Sequence, residues 1–372
     1  SSFKVLVDAS RSAVLWGHVV PEMRSMSPEL MRWRGQAPDI AQCTAAIKAC
    51  LRGASWSPAL RMLEEAFAVS LVPDVITFNV AISACGVTQQ WTMALELVCG
   101  VLQYGLRPTV VSYSAATSAC GRGGHWSRAL HMLEEAFVLG LVPDVISFNA
   151  AISACGLLQQ WTLALQLAHG LFRRGLRPTV VSHNALISAY ERGRQWARAL
   201  KVLQDSVWFR LAPTAVSYNS AISACEKGKR SKEALRLLRE MCQRGLAPDI
   251  ITYNAAVSAC EKCRHWETAL RLLGELRWRR LTPDAVTYNA ATCSCERCTL
   301  WEASMRLLTE ARRFGPEPGL AAYGAALGAC GKVREWRTSL ELLAVIRQGG
   351  SNLDAGVQGA AVAACEAGAQ WV

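Results

Sequence analysis

The cysteines are the side chains of this chain whose spacing could support chemistry of their own. Cys260 and Cys263 form one C-x-x-C pair, Cys295 and Cys298 form a second, and Cys293 lies beside the second pair. Two such pairs are a spacing with which four thiolates bind a zinc ion. The pairs are 35 residues apart, so whether they could meet depends on the elements that carry them.

The other residue types that support catalysis form no pattern. No group of acidic residues recurs beside the histidines, and the chain has no glycine-rich phosphate loop. The histidines are His18, His125, His131, His169, His183 and His265. The sequence therefore predicts no catalytic residue, no cofactor and no small-molecule substrate, and any active site of a full-length protein would lie outside this chain.

The elements that position these residues repeat with a period of 35. Prolines mark the period without insertion or deletion, at positions 38, 73, 108, 143, 178, 213, 248, 283 and 318. A fixed period of this length is typical of a solenoid, in which each unit covers the apolar face of the next. We divide the chain into a degenerate repeat or cap at 1–39, nine full repeats over 40–354, and a partial tenth repeat at 355–372, which indicates a fragment of a longer protein.

Each repeat predicts two helices. In the most regular one, Asp249 follows a proline at the N-cap position of the first helix, and apolar residues then recur at helical spacing. In the repeat before it, Gly228 marks the break before the second helix. That helix ends at Gly245, where glycine accepts a left-handed backbone. The predicted fold class is all-α, a right-handed α-solenoid or superhelix of helix-turn-helix repeats.

Two columns of the repeat, one of cysteine and one of tryptophan, look complementary. Cysteine recurs near the end of the first helix and tryptophan at the start of the second, each in nine units. We interpret both as core, with the small residue making room for the indole. Equivalent residues on stacked helices lie roughly 8–10 Å apart, which is too far for a disulfide and marginal for one zinc ion. We therefore predict buried thiols, no metal and a reducing compartment.

The net charge of +11 favours an anionic partner, and one column of cations is placed to bind it. Seven of the nine full repeats carry Lys or Arg at the thirteenth position, where a helix C-terminus favours cations in any case. In a solenoid this column also forms a stripe suited to phosphates. It consists of Arg52, Arg122, Arg192, Lys227, Lys262, Arg297 and Lys332. No apolar run approaches the ~18 residues of a membrane span, so we expect no membrane partner.

The unit resembles the pentatricopeptide repeat. The resemblance is carried by ITYN at 251–254, VTYN at 286–289 and VSYN at 216–219, and by the Gly-Leu-x-Pro-Asp ending at Gly245 to Asp249. It covers most of the chain, from about residue 40 to residue 371. The closest alternative, the tetratricopeptide repeat, has a 34-residue period and a different residue pattern.

The resemblance implies that each repeat reads one base of single-stranded RNA through its fifth and last residues, between aliphatic side chains at second positions. An amide or hydroxyl beside a carboxylate can meet a base edge, although both types also begin helices. The implied base-reading pairs are Thr44 with Asp74, Asn79 with Thr109, Ser114 with Asp144, Asn149 with Thr179, Asn184 with Thr214, Asn219 with Asp249 and Asn254 with Asp284, followed by Asn289, whose repeat ends in Gly319. The implied base-flanking residues are Ile76, Val111, Ile146, Val181, Val216, Ile251 and Val286.

The family's usual pairings imply a target sequence. Asn with Asp favours U, Thr with Asp favours G, Ser with Asp a purine, and Asn with Thr a pyrimidine. Read 5′ to 3′ along the chain, the implied tract is G-Y-R-Y-Y-U-U-Y-N, where Y is a pyrimidine, R a purine and N any base. Gly319 and Gly324 depart from the pattern in the last two repeats.

Three functions stay open on the sequence. They are sequence-selective RNA binding in organellar RNA processing, stabilisation or translation, a scaffold for protein partners, and the RNA-targeting part of a nuclease or editing factor. The Asn/Asp and basic columns favour RNA binding, because a scaffold needs neither. The resemblance implies location in an organelle, a chloroplast in preference to a mitochondrion.

Overall fold

The structure of the chain is a computed structural model. It describes residues 40–52, 56–68, 71, 73–157, 160–314 and 317–348, with isolated positions at 359, 362 and 363. The cap predicted at 1–39 and nearly all of the partial repeat at 355–372 lie outside the described residues. The chain divides into two compact units, 1–151 and 152–372, and each is described by itself.

The described residues form eighteen α-helices and no β-strand, with two helices in each repeat, as the fold class predicted. Odd numbers denote the first helix of a repeat and even numbers the second. The helices are α1 (Ile40–Arg52), α2 (Trp56–Ala68), α3 (Val75–Val87), α4 (Trp91–Gln103), α5 (Val110–Arg122), α6 (Trp126–Val138), α7 (Val145–Leu157), α8 (Trp161–Arg173), α9 (Val180–Arg192), α10 (Trp196–Trp208), α11 (Ala215–Lys227), α12 (Ser231–Gln243), α13 (Ile250–Lys262), α14 (Trp266–Trp278), α15 (Ala285–Arg297), α16 (Trp301–Phe314), α17 (Leu320–Val333) and α18 (Trp336–Gln348). No helix among the described residues is long and apolar enough to cross a membrane.

The helices begin and end where the sequence predicts. Asp249 caps α13 from an extended backbone, and its carboxylate accepts a 2.8 Å hydrogen bond from the Thr252 backbone N–H. Shortly before this cap, at the end of the preceding repeat, Gly245 follows α12 with a φ of 75°. Arg210 and Arg280 take the left-handed backbone at other repeat ends, so glycine is favoured there without being required.

Within each unit, a repeat buries its apolar face against the next one. In α11 to α15, for example, an odd helix packs on the even helix of its own repeat and on the next odd helix, and the even helix also contacts the next odd helix. In the unit 1–151, Phe78, Ile82, Leu97 and Tyr113 belong to one buried cluster. Because the cluster draws residues from consecutive repeats, a single repeat has no complete core.

The cysteine column is core, as predicted. Its described members are buried at 85, 120, 155, 225, 260, 295 and 330, while Cys50 is half-buried. Burial raises the pKa of Cys225 to about 12 and that of Cys295 to about 11. These thiols therefore stay protonated and unreactive in the folded chain.

The tryptophan column is half-buried, so its interpretation as core was wrong in part. Trp161 lies against the following repeat, where its ring centroid is 6.2 Å from that of Tyr190 and 4.3 Å from the Arg198 guanidinium carbon. A Cβ built on Gly193 would lie 2.5 Å from the Trp161 Cδ1 atom. The indole thus fits over the turn of the next repeat and keeps one side in solvent. In the repeats that carry this contact, glycine makes room for the indole.

The contact between Gly228 and Trp196 gives a stability prediction. A Cβ at Gly228 would lie 2.5 Å from Trp196 Cδ1, while the Gly228 φ of −81° is one that alanine adopts without strain. We expect Gly228→Ala to lower the free energy of unfolding by about 1–3 kcal/mol through overpacking, measured by urea denaturation.

Two controls isolate that clash. Gly274→Ala, inside α14 with open space around the new Cβ, should instead stabilise by about 0.5–1 kcal/mol. In a Trp196→Ala background the cost of Gly228→Ala should disappear. An equal cost in both backgrounds would contradict the contact.

The C-x-x-C cysteines give a second prediction. Cys263 and Cys298 directly follow α13 and α15, and their Sγ atoms lie 3.2 Å from the Lys229 carbonyl and 3.6 Å from the Arg264 carbonyl. In the described part of the chain, no three His, Cys, Asp or Glu side chains are grouped to hold a metal. We expect well under one zinc per chain by elemental analysis of protein purified without chelator.

The same prediction extends to stability. The double substitution Cys263→Ser and Cys298→Ser should change the free energy of unfolding by no more than about 0.5 kcal/mol, because both positions are half-buried outside the core and serine can also donate to the carbonyls. A stoichiometric zinc ion that disappears on this substitution would overturn the interpretation of the cysteines as ordinary thiols.

Candidate nucleic-acid interface

The first turns of the odd helices bring fifth and last residues into contact. The last residue of a repeat caps the next odd helix, which packs against the odd helix that carries the fifth residue. The fifth-residue amide Nδ2 therefore donates to the last residue. The bonds are Asn79 to Thr109 (3.2 Å), Asn184 to Thr214 (3.4 Å), Asn219 to Asp249 (3.3 and 3.2 Å) and Asn254 to Asp284 (3.1 and 2.9 Å).

The remaining predicted pairs differ in their bonding. Thr44 Oγ1 lies 2.7 Å from Thr77 Oγ1, and Thr77 Oγ1 donates to Asp74, so a third residue connects that pair. Ser114 donates to the Val111 carbonyl, while the Asp144 carboxylate accepts from the hydroxyl and N–H of Ser147. Each of the last two is thus bonded within its own helix.

The two remaining asparagines, in the fourth and eighth repeats, lie in different surroundings. Asn149 is buried on α7, and Thr179 caps α9. Asn289 lies beside Gly319, where a Cβ would be 3.3 Å from the Asn289 Nδ2 atom. Among the described residues, the Asn289 Oδ1 atom is buried without a hydrogen-bond partner.

A hydroxyl that sequence reasoning missed completes four of the pairs. The third residue of the following repeat donates to the Oδ1 atom of the fifth-residue amide. The donors are Ser112 to Asn79 (2.6 Å), Ser217 to Asn184 (2.5 Å), Thr252 to Asn219 (2.5 Å) and Thr287 to Asn254 (2.5 Å). The Ser or Thr that stands two residues before each fifth residue was the signal for this contact.

Two carboxylates in this surface, Asp249 and Asp284, are held in their charged form. Burial raises the pKa of Asp249, but hydrogen bonds from the Thr252 hydroxyl and N–H and from the Asn219 amide outweigh it and lower the pKa below its ordinary value. The same balance at Asp284, with Thr287 and Asn254, also lowers the pKa. Both side chains are therefore acceptors only at neutral pH.

The predicted base-flanking residues are exposed, although they are β-branched and apolar. Their exposed fractions run from 54% to 64%. They are Ile76, Val111, Ile146, Val181, Val216, Ile251 and Val286, one on the first turn of each odd helix from α3 to α15. A regular row of such side chains in water is not explained by packing of the chain itself.

Four of the seven predicted phosphate contacts are already paired. Each bonds the glutamate at the twelfth position of the preceding repeat, and we call this set the ion-pair ladder. Its pairs are Lys227 with Glu191 (2.8 Å), Lys262 with Glu226 (2.7 Å), Arg297 with Glu261 (3.1 Å) and Lys332 with Glu296 (3.0 Å). A glutamate column spaced 36 residues before these cations was the signal in the sequence.

Two of the other three predicted phosphate contacts differ from the ladder. Arg122 and Arg192 are exposed, and the residues in place of the ladder glutamates are Gly86 and Gly156. Arg52 ends α1, and its side chain lies outside the part of the chain that the structure describes. Within one repeat, the second and thirteenth residues are eleven residues apart, which is about three helical turns. The aliphatic side chain and the cation therefore lie on the same face of the odd helix, one at each end.

Most of the histidines have structural partners. His125 stacks on Trp91 with 4.0 Å between ring centroids, and His265 Nδ1 lies 2.8 Å from Ser231 Oγ. His183 Nδ1 lies 3.2 Å from the Thr179 carbonyl, and His131 lies 3.8 Å from Glu135. His169 is exposed, and His18 lies outside the described residues.

Two solved structures share the fold of this chain. The crystal structure of the pentatricopeptide repeat protein PPR10 from maize has a TM-score of 0.55 at 22% identity, over 89% of this chain and 52% of that one. A PPR10 variant with three cysteine-to-serine substitutions, solved in complex with an 18-nucleotide psaJ RNA element, has a TM-score of 0.62 at 18% identity, over 87% and 52%. The chain thus spans about half the length of these structures. No curated protein matches it.

Family profiles match the repeats themselves. The pentatricopeptide repeat domain matches residues 29–88, 61–123 and 166–228, and the PPR repeat family matches residues 213–262 and 248–295. These matches together cover more than half of the chain. With the period, the caps and the paired helices, they show that the chain belongs to the pentatricopeptide repeat family.

Proposed function

We propose that this chain binds single-stranded RNA with sequence selectivity, one base per repeat, through the fifth and last residues of its repeats. The observation that carries the proposal is the row of exposed β-branched side chains beside the hydrogen-bonded amide pairs. One apolar contact and one polar contact, repeated along successive odd helices, are what a stacked and edge-read base requires.

The aliphatic residues supply the stacking surface. Ile251 and Val286 are exposed on the first turns of α13 and α15, and these helices pack side by side. A base between the two side chains would remove apolar surface from water on both of its faces, at about 25 cal/mol for each Å². A protein scaffold could bury this row as well, but it would have no use for hydrogen-bonded polar pairs beside the aliphatics, such as Asn254 with Asp284.

The polar pair supplies the selectivity. One hydrogen of the Asn254 Nδ2 atom is bonded to Asp284, which leaves the second for a ligand. Uracil presents an N–H donor between two carbonyl acceptors, so it can donate to Asp284 while accepting from Asn254. Cytosine places an unprotonated ring nitrogen against the same carboxylate, and two acceptors repel. An Asn–Asp repeat therefore favours U.

The relatives and the charge support RNA as the ligand class. The PPR10 variant of the same fold was solved in complex with an RNA element. A net charge of +11 favours a polyanion. The proposed setting is RNA processing, stabilisation or translation in an organelle, with a chloroplast preferred to a mitochondrion, on the strength of the family resemblance.

Substitution of Asn254 tests the base-reading pair. Asn254→Thr recreates the Thr44–Asp74 combination, and Thr44 shows how the new side chain would lie, 2.7 Å from a threonine that itself bonds the aspartate. We expect the preferred base at the seventh nucleotide of G-Y-R-Y-Y-U-U-Y-N to change from U toward G by ~1–3 kcal/mol. Competition binding with all four bases at that nucleotide measures it.

The sixth nucleotide is the internal control for that experiment. It is assigned to Asn219 and Asp249, which have the same bonding, and its preference for U should not change. Equal affinity for all four bases at both nucleotides, before and after substitution, would mean that these residues only cap helices and that the surface does not read RNA.

Salt dependence tests the backbone contacts. Seven phosphate contacts would give a slope of log affinity against log salt of about −5, while the three cations outside the ion-pair ladder would give about −2. We expect the shallower slope, because the ladder cations already have carboxylate partners. Glu226→Gln should steepen it by about 0.7 by freeing Lys262.

A conservative variant controls for the loss of the ladder contact. Glu226→Asp keeps the charge and should leave the slope unchanged. A slope near zero in the unsubstituted chain would remove a phosphate backbone as ligand, and a slope near −5 would show that RNA displaces the glutamates.

A further inference from the structure

A buried hydroxyl lies between the two members of the Asn254–Asp284 pair. Thr287 Oγ1 is 2.5 Å from Asn254 Oδ1 and 2.8 Å from Asp284 Oδ1, and it accepts from the Asp284 backbone N–H at 3.3 Å. Thr287 is 0% exposed, so it cannot touch RNA itself. A single hydroxyl proton therefore faces both acceptors and holds the two side chains together.

The hydroxyl also distinguishes the two ends of the amide. The oxygen and nitrogen ends of an asparagine side chain have nearly the same shape but opposite hydrogen-bonding character, and rotation about the last side-chain bond is soft. A hydroxyl donor at Asn254 Oδ1 and a carboxylate acceptor at Asn254 Nδ2 both favour one orientation. In that orientation the free N–H of the amide is available to a ligand.

The chain contains a natural contrast to this arrangement. In the repeat of Asn289, the last residue is Gly319 and the third residue of the next repeat is Ala322, so neither a carboxylate nor a hydroxyl is present. Accordingly, the Asn289 Oδ1 atom is buried and has no hydrogen-bond partner among the described residues. Among the described residues, neither a carboxylate nor a hydroxyl sets which end of the Asn289 amide faces a base.

We propose that the buried hydroxyl at the third position of the following repeat is a positioning residue for base selection, which makes each base-reading unit a set of three side chains. The inference rests on the proposed function. It assigns Thr287 to the seventh nucleotide and Thr252 to the sixth, and it makes the eighth nucleotide, at Asn289, weakly discriminated.

The first experiment removes the hydroxyl and restores it. Thr287→Val keeps the shape of the side chain and the backbone N–H that donates to the Asp284 carboxylate, while Thr287→Ser keeps the hydroxyl. Competition binding with the nine-nucleotide tract should show U-over-C selectivity at the seventh nucleotide falling roughly three- to tenfold in the Val variant, as for one ordinary hydrogen bond. It should be retained in the Ser variant.

Selectivity at the sixth nucleotide is the control for folding. It depends on Thr252 and Asn219 and should be the same in all three proteins. A general loss of structure would lower both selectivities together, so only an isolated loss at the seventh nucleotide supports the proposal.

The second experiment builds the missing contacts. Gly319→Asp adds the carboxylate at a φ of −69°, which suits any residue, and Ala322→Ser adds one oxygen at the position held by Ser217 in another repeat. We expect Gly319→Asp alone to raise U-over-C selectivity at the eighth nucleotide modestly. The double variant should raise it at least threefold further.

The outcomes separate the two claims. Equal affinity for all four bases in the unsubstituted chain at both the sixth and the seventh nucleotides would reject the proposed base reading. Full selectivity in Thr287→Val, or equal selectivity in Gly319→Asp with and without Ala322→Ser, would reject the role of the hydroxyl and leave the base reading in place.

Discussion

Successive first helices pack in one constant register, and the other contacts between repeats depend on it. Within each unit, every odd helix packs on the next. The asparagine–cap bonds therefore join residues 30 apart, the amide–hydroxyl bonds residues 33 apart, and the ladder bonds residues 36 apart. One inserted residue would rotate the remainder of a helix by about 100° and break all three kinds of contact at once. This explains why the period of 35 is kept without exception.

The odd helices separate stability from recognition along their length. Their buried sides hold Tyr, Ile, Ala and Cys against neighbouring helices, while their first turns expose aliphatics next to capped and hydrogen-bonded polar pairs. Partly exposed ion pairs contribute at most about 1 kcal/mol each, so the ladder adds little to the free energy of unfolding. Its larger effect is on charge, because it places a carboxylate beside four of the seven cations predicted to bind phosphates.

Much of the fold could be predicted from the sequence because the repeat shows each local rule several times. The prolines, the Asp249-type caps and Gly245 set the helix ends, and the structure agrees with them. The indole of Trp161 could not be placed in the same way. Its partner lies in the turn of the next repeat, and sequence periodicity describes one helix at a time. Half-burial of a large aromatic depends on that tertiary contact.

The candidate site was predictable in position but not in its bonding. The columns of fifth and last residues indicated which side chains meet, yet Thr287 appeared only as part of the helix-start pattern. Hydrogen bonds among three residues from two repeats follow from helix packing, which spacing alone does not supply. The same holds for Glu226, whose partner Lys262 lies on another helix.

The amide, cap and hydroxyl of one unit come from two neighbouring repeats, and this affects how such arrays could be recombined. Exchange of the repeat 250–284 moves Asn254 and Asp284 together but leaves Thr287 in the donor, so that the recipient supplies the third residue of the following repeat. Crossovers placed between the third and fifth residues of two successive repeats would instead move all three side chains as one block. The transferable module of this protein is therefore out of phase with the repeat visible in its sequence, and crossovers made by the visible repeat would carry an incomplete recognition element.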